Sequence, residues 1–286
     1  LIANGDENLA AYLESVDTIE PIPDAFFNPL YEKLKMYYVT GGMPESVLMW
    51  TEARDVAAMQ EALSNIIGAY ERDFAKHPNI SEFPKISMIW KSIPSQLAKE
   101  NRKFVYTAVR SSARARDFET SIQWLCDAGV AHKVTRVIAG ELPLAGFEDA
   151  DAFKLYVLDI GLHGAMSGLD ARTLITGDDF FKQYKGALTE QYVLQQLQLL
   201  EETEIHYWSP ETGIAEVDFV IKSDSQIVPI EVKAEKNLRA KSLAEFIKRY
   251  APSLVIRTSM APYARGEKIV DLPLYAISLL PELMRE

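Results

Sequence analysis

Three residues have the types and spacing for metal-assisted chemistry: Asp218, Glu231 and Lys233, in the pattern Asp-x12-Glu-x-Lys. Asp218 sits in Glu216-Val217-Asp218-Phe219-Val220-Ile221, the other two in Ile227-Val228-Pro229-Ile230-Glu231-Val232-Lys233. Both runs are apolar, and the turn-rich Lys222-Ser223-Asp224-Ser225 between them predicts a β-hairpin. Charges set among residues that favour burial are expensive unless they are paired or hold a metal. Strand alternation puts Glu231 and Lys233 on one face. An Asp and a Glu on adjacent strands, with a Lys close by, make a compact oxygen-ligand site. Hard divalent cations, Mg²⁺ above all (Mn²⁺ as a substitute), take such ligands while keeping several waters. Such an ion acidifies a bound water and offsets charge on an attacked phosphate, which is what phosphodiester hydrolysis needs. The alternative for the same residues is an ion pair of Lys233 with Glu231 or Asp218 in a fold without catalysis.

Elements around this hairpin must place it. A helix is predicted over about 179–201, with Leu188, Tyr192, Val193, Leu197 and Leu200 at helical spacing. Strands follow near 205–208, 217–221 and 228–232, then a helix over 240–250 and strands at 254–257 and 274–277. Upstream, residues 1–80 are mostly helical by pattern. Gly41-Gly42 breaks one helix, Pro44 opens another, and His77-Pro78 ends a third over about 54–76. Residues 81–178 read as helices near 83–97 and 115–128, with Gly129 as a stop, then strands over 130–138 and 152–158. Helices followed by a short hairpin suggest a winged-helix-like module, whose basic side chains commonly meet a DNA backbone. Arg110, Arg114, Arg116, Lys133 and Arg136 are the candidate phosphate contacts there.

The order helix, three strands, helix, strand, with Asp218 and Glu231-x-Lys233 on the second and third strands, resembles the PD-(D/E)XK nuclease core. The leading Pro of that pattern is replaced by Val217. The resemblance implies a restriction-endonuclease-like mixed sheet in which Asp218, Glu231 and the Val232 carbonyl hold the metal and Lys233 orients or deprotonates the attacking water. It also implies an acid on the first helix, which Glu190 supplies, and backbone contacts from Lys236, Arg239 and Lys241. A second resemblance rests on Tyr38-Val39-Thr40-Gly41-Gly42-Met43-Pro44-Glu45, Tyr156-Val157-Leu158-Asp159-Ile160-Gly161-Leu162 and Glu216-Val217-Asp218-Phe219. These look like motifs of a bacterial family in which an AAA-type ATP-binding domain precedes a C-terminal domain of unknown function. The family implies that residues 1–80 continue an ATPase lid and that 179–286 form the nuclease-like part. The chain has no Gly-x4-Gly-Lys-Ser/Thr, so no phosphate loop is present. ATP binding is therefore expected upstream of Leu1, and the chain is expected to be a piece of something longer. The implied fold class is α+β / α/β. The implied function is a metal-dependent DNA endonuclease or DNA-processing effector of such an ATPase. The rival is a non-catalytic nucleic-acid- or protein-binding module that regulates it.

Composition bounds these readings. With 286 residues, 48% hydrophobic and 25% charged, the chain is an ordinary globular one of two or three domains. No apolar run approaches a membrane span, and the single cysteine, Cys126, suits a reducing cytoplasm. A net charge of −11 excludes a surface uniformly coated for nucleic acid. The charge is segregated, however: residues 1–30 carry six acids and no base, 85–140 ten bases against four acids, and 233–250 six bases against two acids. Such basic islands are what a phosphate-facing surface requires. The four histidines, His77, His132, His163 and His206, lack metal-ligand spacing, and no Gly-x-Ser-x-Gly elbow points to a serine hydrolase. Tyr207-Trp208 reads as packing at a strand end, and Cys126 as a buried thiol.

Overall fold

A computed structural model describes residues 1–14, 23–76, 82–99, 102–169, 179–200, 203–223, 225–234 and 241–285. Helices α1 (Glu7–Glu14), α2 (Asp24–Thr40), α3 (Pro44–Ala53), α4 (Val56–Phe74) and α5 (Phe83–Leu97) open the chain. Helices α6 (Tyr106–Val109) and α7 (Ala115–Asp127), strands β1 (Ala131–Val137) and β2 (Glu148–Val157), and helix α8 (Ile160–Met166) follow. The rest comprises α9 (Asp179–Leu197), β3 (Ile205–Trp208), β4 (Val217–Ser223), β5 (Gln226–Val232), α10 (Lys241–Tyr250), β6 (Val255–Ser259), β7 (Ala264–Arg265), β8 (Ile269–Pro273) and α11 (Leu280–Arg285). The eight strands form one mixed sheet in the order β2-β1-β3-β4-β5-β6-β8-β7. The fold is mixed α+β.

The chain separates into two compact units, one of residues 1–34, 134–152 and 192–286, the other of 35–133 and 153–191. In the first unit β3, β4 and β5 form an antiparallel meander, while β5, β6 and β8 run parallel. Helix α10 is strongly amphipathic because Leu243 and Phe246 fall one turn apart on its buried side. They join Val137, Leu144, Trp208, Ala215, Val217, Val220 and Val255 in one hydrophobic core. Trp208, Phe246 and Tyr250 meet as an aromatic cluster, which is the packing role expected of Trp208.

In the second unit helices dominate. Asp55 caps α4 by accepting from the Ala57 and Ala58 amides, and Phe74, Trp90 and Trp124 interlock edge to face at 5.6 Å. Two glycines let α8 meet the turn after α2. Gly41 has φ 63, and a Cβ there would overlap the Asp159 carboxylate. A Cβ on Gly161 would lie 2.7 Å from the Thr40 carbonyl oxygen. Asp159 accepts from the Gly42 amide at 2.7 Å and from Gly161 and Leu162 at 2.8 and 3.1 Å, capping α8 and tying the turn to it. Its negative charge adds to burial in raising the Tyr37 and Tyr70 hydroxyl pKa values, burial being the larger cause.

The expected succession of helix, three strands, helix and strand is found as α9, β3, β4, β5, α10, β6. One expected strand is not. Residues 274–277 lie in a 3₁₀-helix, Leu274–Leu279. The strand falls just before, as β8, and ends at Pro273, which has no N–H to extend a ladder. The apolar run Leu-Tyr-Ala-Ile is too short for periodicity to separate the two states.

Candidate functional site

The β4–β5 register sets the site. Phe219 pairs with Ile230, so one step further Asp218 stands opposite Glu231. Asp218 accepts the Val232 amide at 2.8 Å. Glu231 is 5% exposed, and its Oε1 receives the Lys233 ammonium at 2.6 Å. The Lys233 side chain keeps 27% exposure, so its head reaches the surface while the carboxylate beneath it stays buried. Lys233 is itself fixed by its amide, which donates to the Thr258 carbonyl of β6 at 2.8 Å. Asp218 alternates with Val220, and Glu231 with Pro229 and Ile227, so all three charged groups share the sheet face that α10 covers.

This brings together the three residues singled out first. Their donor set fits a hard cation: Mg²⁺ is commonly held by one or two carboxylates, its other positions going to water and substrate phosphate. Among the described residues no group of three or more His, Cys, Asp or Glu side chains is gathered as for a metal ion.

Glu190 lies in the second unit, fully buried on α9. Its carboxylate accepts from Lys154 Nζ at 2.8 Å, lies within hydrogen-bond reach of the Tyr156 hydroxyl, and is ion-paired with Arg102. Lys154 is fully buried as well. Next to it Gln191 holds the outer edge of β2, accepting from the Val157 amide at 3.2 Å and donating to its carbonyl at 2.7 Å. Lys154 and Tyr156 were missed from sequence as partners of Glu190; their alternation in Lys154-Leu155-Tyr156 on a strand was the available signal.

The candidate DNA contacts divide. Arg110, Arg114 and Arg116 are exposed around the start of α7, Arg110 with its guanidinium 5.9 Å from the Phe118 ring. Lys133 is exposed, its ammonium 4.6 Å from the centre of the Phe153 ring. Arg136 is instead largely covered and ion-paired with Asp149. Lys241 opens α10 and is exposed, while Lys236 and Arg239 lie outside the described residues.

Sequence reasoning also missed Arg257 and Asp271. Arg257 on β6 pairs in register with Glu231 on one side and Asp271 of β8 on the other. Asp271 takes its Nε at 2.5 Å and its Nη2 at 2.8 Å. Their strands β6 and β8 pair with each other although β7 lies between them in sequence, so spacing alone could not place them.

Of the histidines, His163 is fully buried in α8, and burial pushes its pKa down to about 4, Gln191 acting weakly the other way. His206 is buried beside Thr135, at 3.1 Å, and Glu148, at 3.4 Å. Burial lowers its pKa against the pull of Glu148 and Glu204. His132 is lowered by burial too, and the half-buried Cys126 thiol is pushed up. His77 lies outside the described residues. No helix among the described residues is long and apolar enough to cross a membrane.

Curated proteins and solved structures gave no match. A family model described as domain of unknown function DUF4143 matches residues 185–277, the segment that holds Asp218, Glu231, Lys233, Arg257 and Asp271, and that domain is known to accompany AAA ATPases. A second model matches residues 31–173, half of the chain, and the chain belongs to its family, the domain of unknown function DUF8612.

Proposed function

We propose that Asp218, Glu231 and Lys233 form the site of a Mg²⁺-dependent phosphodiesterase acting on DNA, working as the effector of an AAA-type ATP-binding domain. The observation that carries this is the register that sets Asp218 against Glu231 on neighbouring strands, with Lys233 two residues on from Glu231 on the same face. When bound, Mg²⁺ acidifies a water and offsets charge on the phosphate. Asp218 and Glu231 would hold the ion, helped by the Val232 carbonyl. Lys233, steered by Glu231, orients the water and stabilises charge that develops at phosphorus. The exposed Arg110, Arg114, Arg116, Lys133 and Lys241 contact the DNA backbone, which gives the helices α5 to α7 and strands β1 and β2 a winged-helix-like role. The PD-(D/E)XK arrangement of α9 to β6 belongs to the same proposal. The DUF4143 match supports the ATPase partnership.

A second reading is a non-catalytic module that binds DNA or protein and regulates the ATPase. Two observations favour it: Lys233 is ion-paired with Glu231 at 2.6 Å, and Glu190, the acid that the nuclease resemblance implies, is engaged by Lys154, Tyr156 and Arg102. The two readings separate in one assay. Supercoiled and linear DNA, with RNA as control, are incubated with the protein and Mg²⁺ or Mn²⁺, with and without its ATPase partner and ATP. The phosphodiesterase cleaves only with metal, and Asp218→Ala or Lys233→Ala lowers the rate about 10²–10⁴-fold. Cleavage that survives both substitutions comes from another site or a contaminant, and no cleavage by the wild type with ATPase and ATP present supports the module instead.

A further inference from the structure

Helix α10 has two unlike sides. Leu243 and Phe246 share one core with Val220 of β4 and Val255 of β6, and β5, which carries Glu231, runs between those two strands. Ile247 and Tyr250 pack against the same core. A Cβ on Gly140 would overlap the Phe246 and Tyr250 rings, so the chain after β1 closes over them. The apolar side thus fixes the helix to the strands that carry Asp218 and Glu231. The other side presents Lys241, Ala244 and Lys248, all exposed and each one turn from the next.

We infer that this outward stripe of α10 is a track for the backbone of duplex DNA, with Lys241 and Lys248 each meeting a phosphate; the inference rests on the DNA contact in the reading above. Along the helix the two lysines stand about 10.5 Å apart. Phosphates of one strand recur about every 3.4 Å along the duplex axis, so the two ammonium groups meet different phosphates. A cavity of about 580 Å³ opens against the helix, lined by Ala244, Glu245, Lys248 and Arg249. The Ala244 methyl leaves the space between the lysines unfilled. Among the described residues neither lysine is held in an ion pair. Arg249 is tied back instead, paired with Glu245 and with its guanidinium 5.6 Å from the centre of the Trp208 ring. Helix stability explains Lys241 poorly, because a helix begins with its positive end, where an acid stabilises and a lysine costs. No acid in the first turn of α10 offsets it. Lys248, in the last turn, gains from the dipole. An anionic polymer lying along the helix satisfies both positions.

The test is binding of a labelled DNA duplex by the whole chain, read by fluorescence anisotropy in Ca²⁺, which takes the same oxygen ligands as Mg²⁺. Salt is varied from about 50 to 200 mM, the range over which phosphate neutralisation shows in the slope. Thermal melting and Mn²⁺ binding, the latter by electron paramagnetic resonance, run in parallel. Lys241→Gln and Lys248→Gln should each reduce the slope of log K against log salt by about 0.9, and the double variant by about 1.8. Ala244→Glu sets a carboxylate one turn from both lysines. It should keep or raise the melting temperature through the pair with Lys248, yet weaken DNA binding about tenfold. A merely structural role would move melting and binding together. Arg249→Gln removes the same charge and should change the slope by less than half as much. Mn²⁺ binding stays as in the wild type in all of these variants. A wild-type slope in the double lysine variant, wild-type affinity in Ala244→Glu, or an equal change in Arg249→Gln overturns the track. The phosphodiesterase reading then still stands if Asp218→Asn abolishes Mn²⁺ binding. The lysine effects without any Mn²⁺ binding by the wild type support the track and overturn that reading. No DNA binding by the wild type overturns both.

Discussion

The carboxylate of Glu231 and the ammonium of Lys233 share one sheet face, two residues apart, and their types and spacing alone made both candidates. Arg257 and Asp271 were not legible, because what joins them to that pair is parallel strand order rather than spacing. Burial of single polar residues was hidden for a similar reason: His163 in Gly161-Leu162-His163-Gly164 carries no mark of full enclosure. That enclosure makes a pH prediction. His163 has a folded pKa of about 4 against an ordinary 6.5, so the unfolded chain binds the extra proton between those values. Stability from the neutral ring is complete above pH 6.5 and lost as pH falls toward 4. The full effect is roughly 3 kcal/mol, with about 2 kcal/mol gone by pH 5. Urea unfolding of the wild type and His163→Leu at pH 7.5 and 5 measures it. The variant should lose about 2 kcal/mol less than the wild type on acidification; equal losses would show that the ring titrates normally in the fold.

Among the elements, the meeting of α8 with the turn after α2 depends on Gly41 and Gly161 having no Cβ. Gly161→Ala is expected to cost about 1–3 kcal/mol, because the backbone of Thr40 and Gly41 must move. Gly68→Ala, inside α4 with only the end of the flexible Arg72 side chain at 3.3 Å, should instead stabilise by about 0.5–1 kcal/mol. Denaturant titrations of the two variants give opposite signs if the packing is as described, and the same sign if it is not. Most elements were legible: α5 and β3 fall where hydrophobic periodicity puts them, and the hairpin of β4 and β5 follows from two apolar runs around a polar turn. The Gly41-Gly42 break was read as a turn, but its partner was invisible, since Asp159 lies more than a hundred residues away in sequence. The 3₁₀-helix at Leu274–Leu279 was missed because its apolar residues pack against the core without a helical period long enough to register.

At the scale of the whole molecule, an overall charge of −11 with basic islands at 85–140 and 233–250 means that the DNA contact proposed above would be local and strongly salt-dependent. Neutralising Arg110, Arg114 and Arg116 together should flatten the dependence of log K on log salt by about 2–3, roughly 0.9 for each arginine that meets a phosphate. Anisotropy titrations over a salt series check this; an unchanged slope would remove the start of α7 from the interface. The two family matches, 31–173 and 185–277, leave Asp218, Glu231 and Lys233 wholly within the second. Whether those three residues act as one cation-dependent site is the central claim, and Mn²⁺ binding measures it most directly. Electron paramagnetic resonance titration of the wild-type chain should show one bound Mn²⁺, lost in Asp218→Asn while the circular dichroism spectrum stays unchanged. No saturable binding by the wild type, or equal binding by the folded variant, would contradict the account.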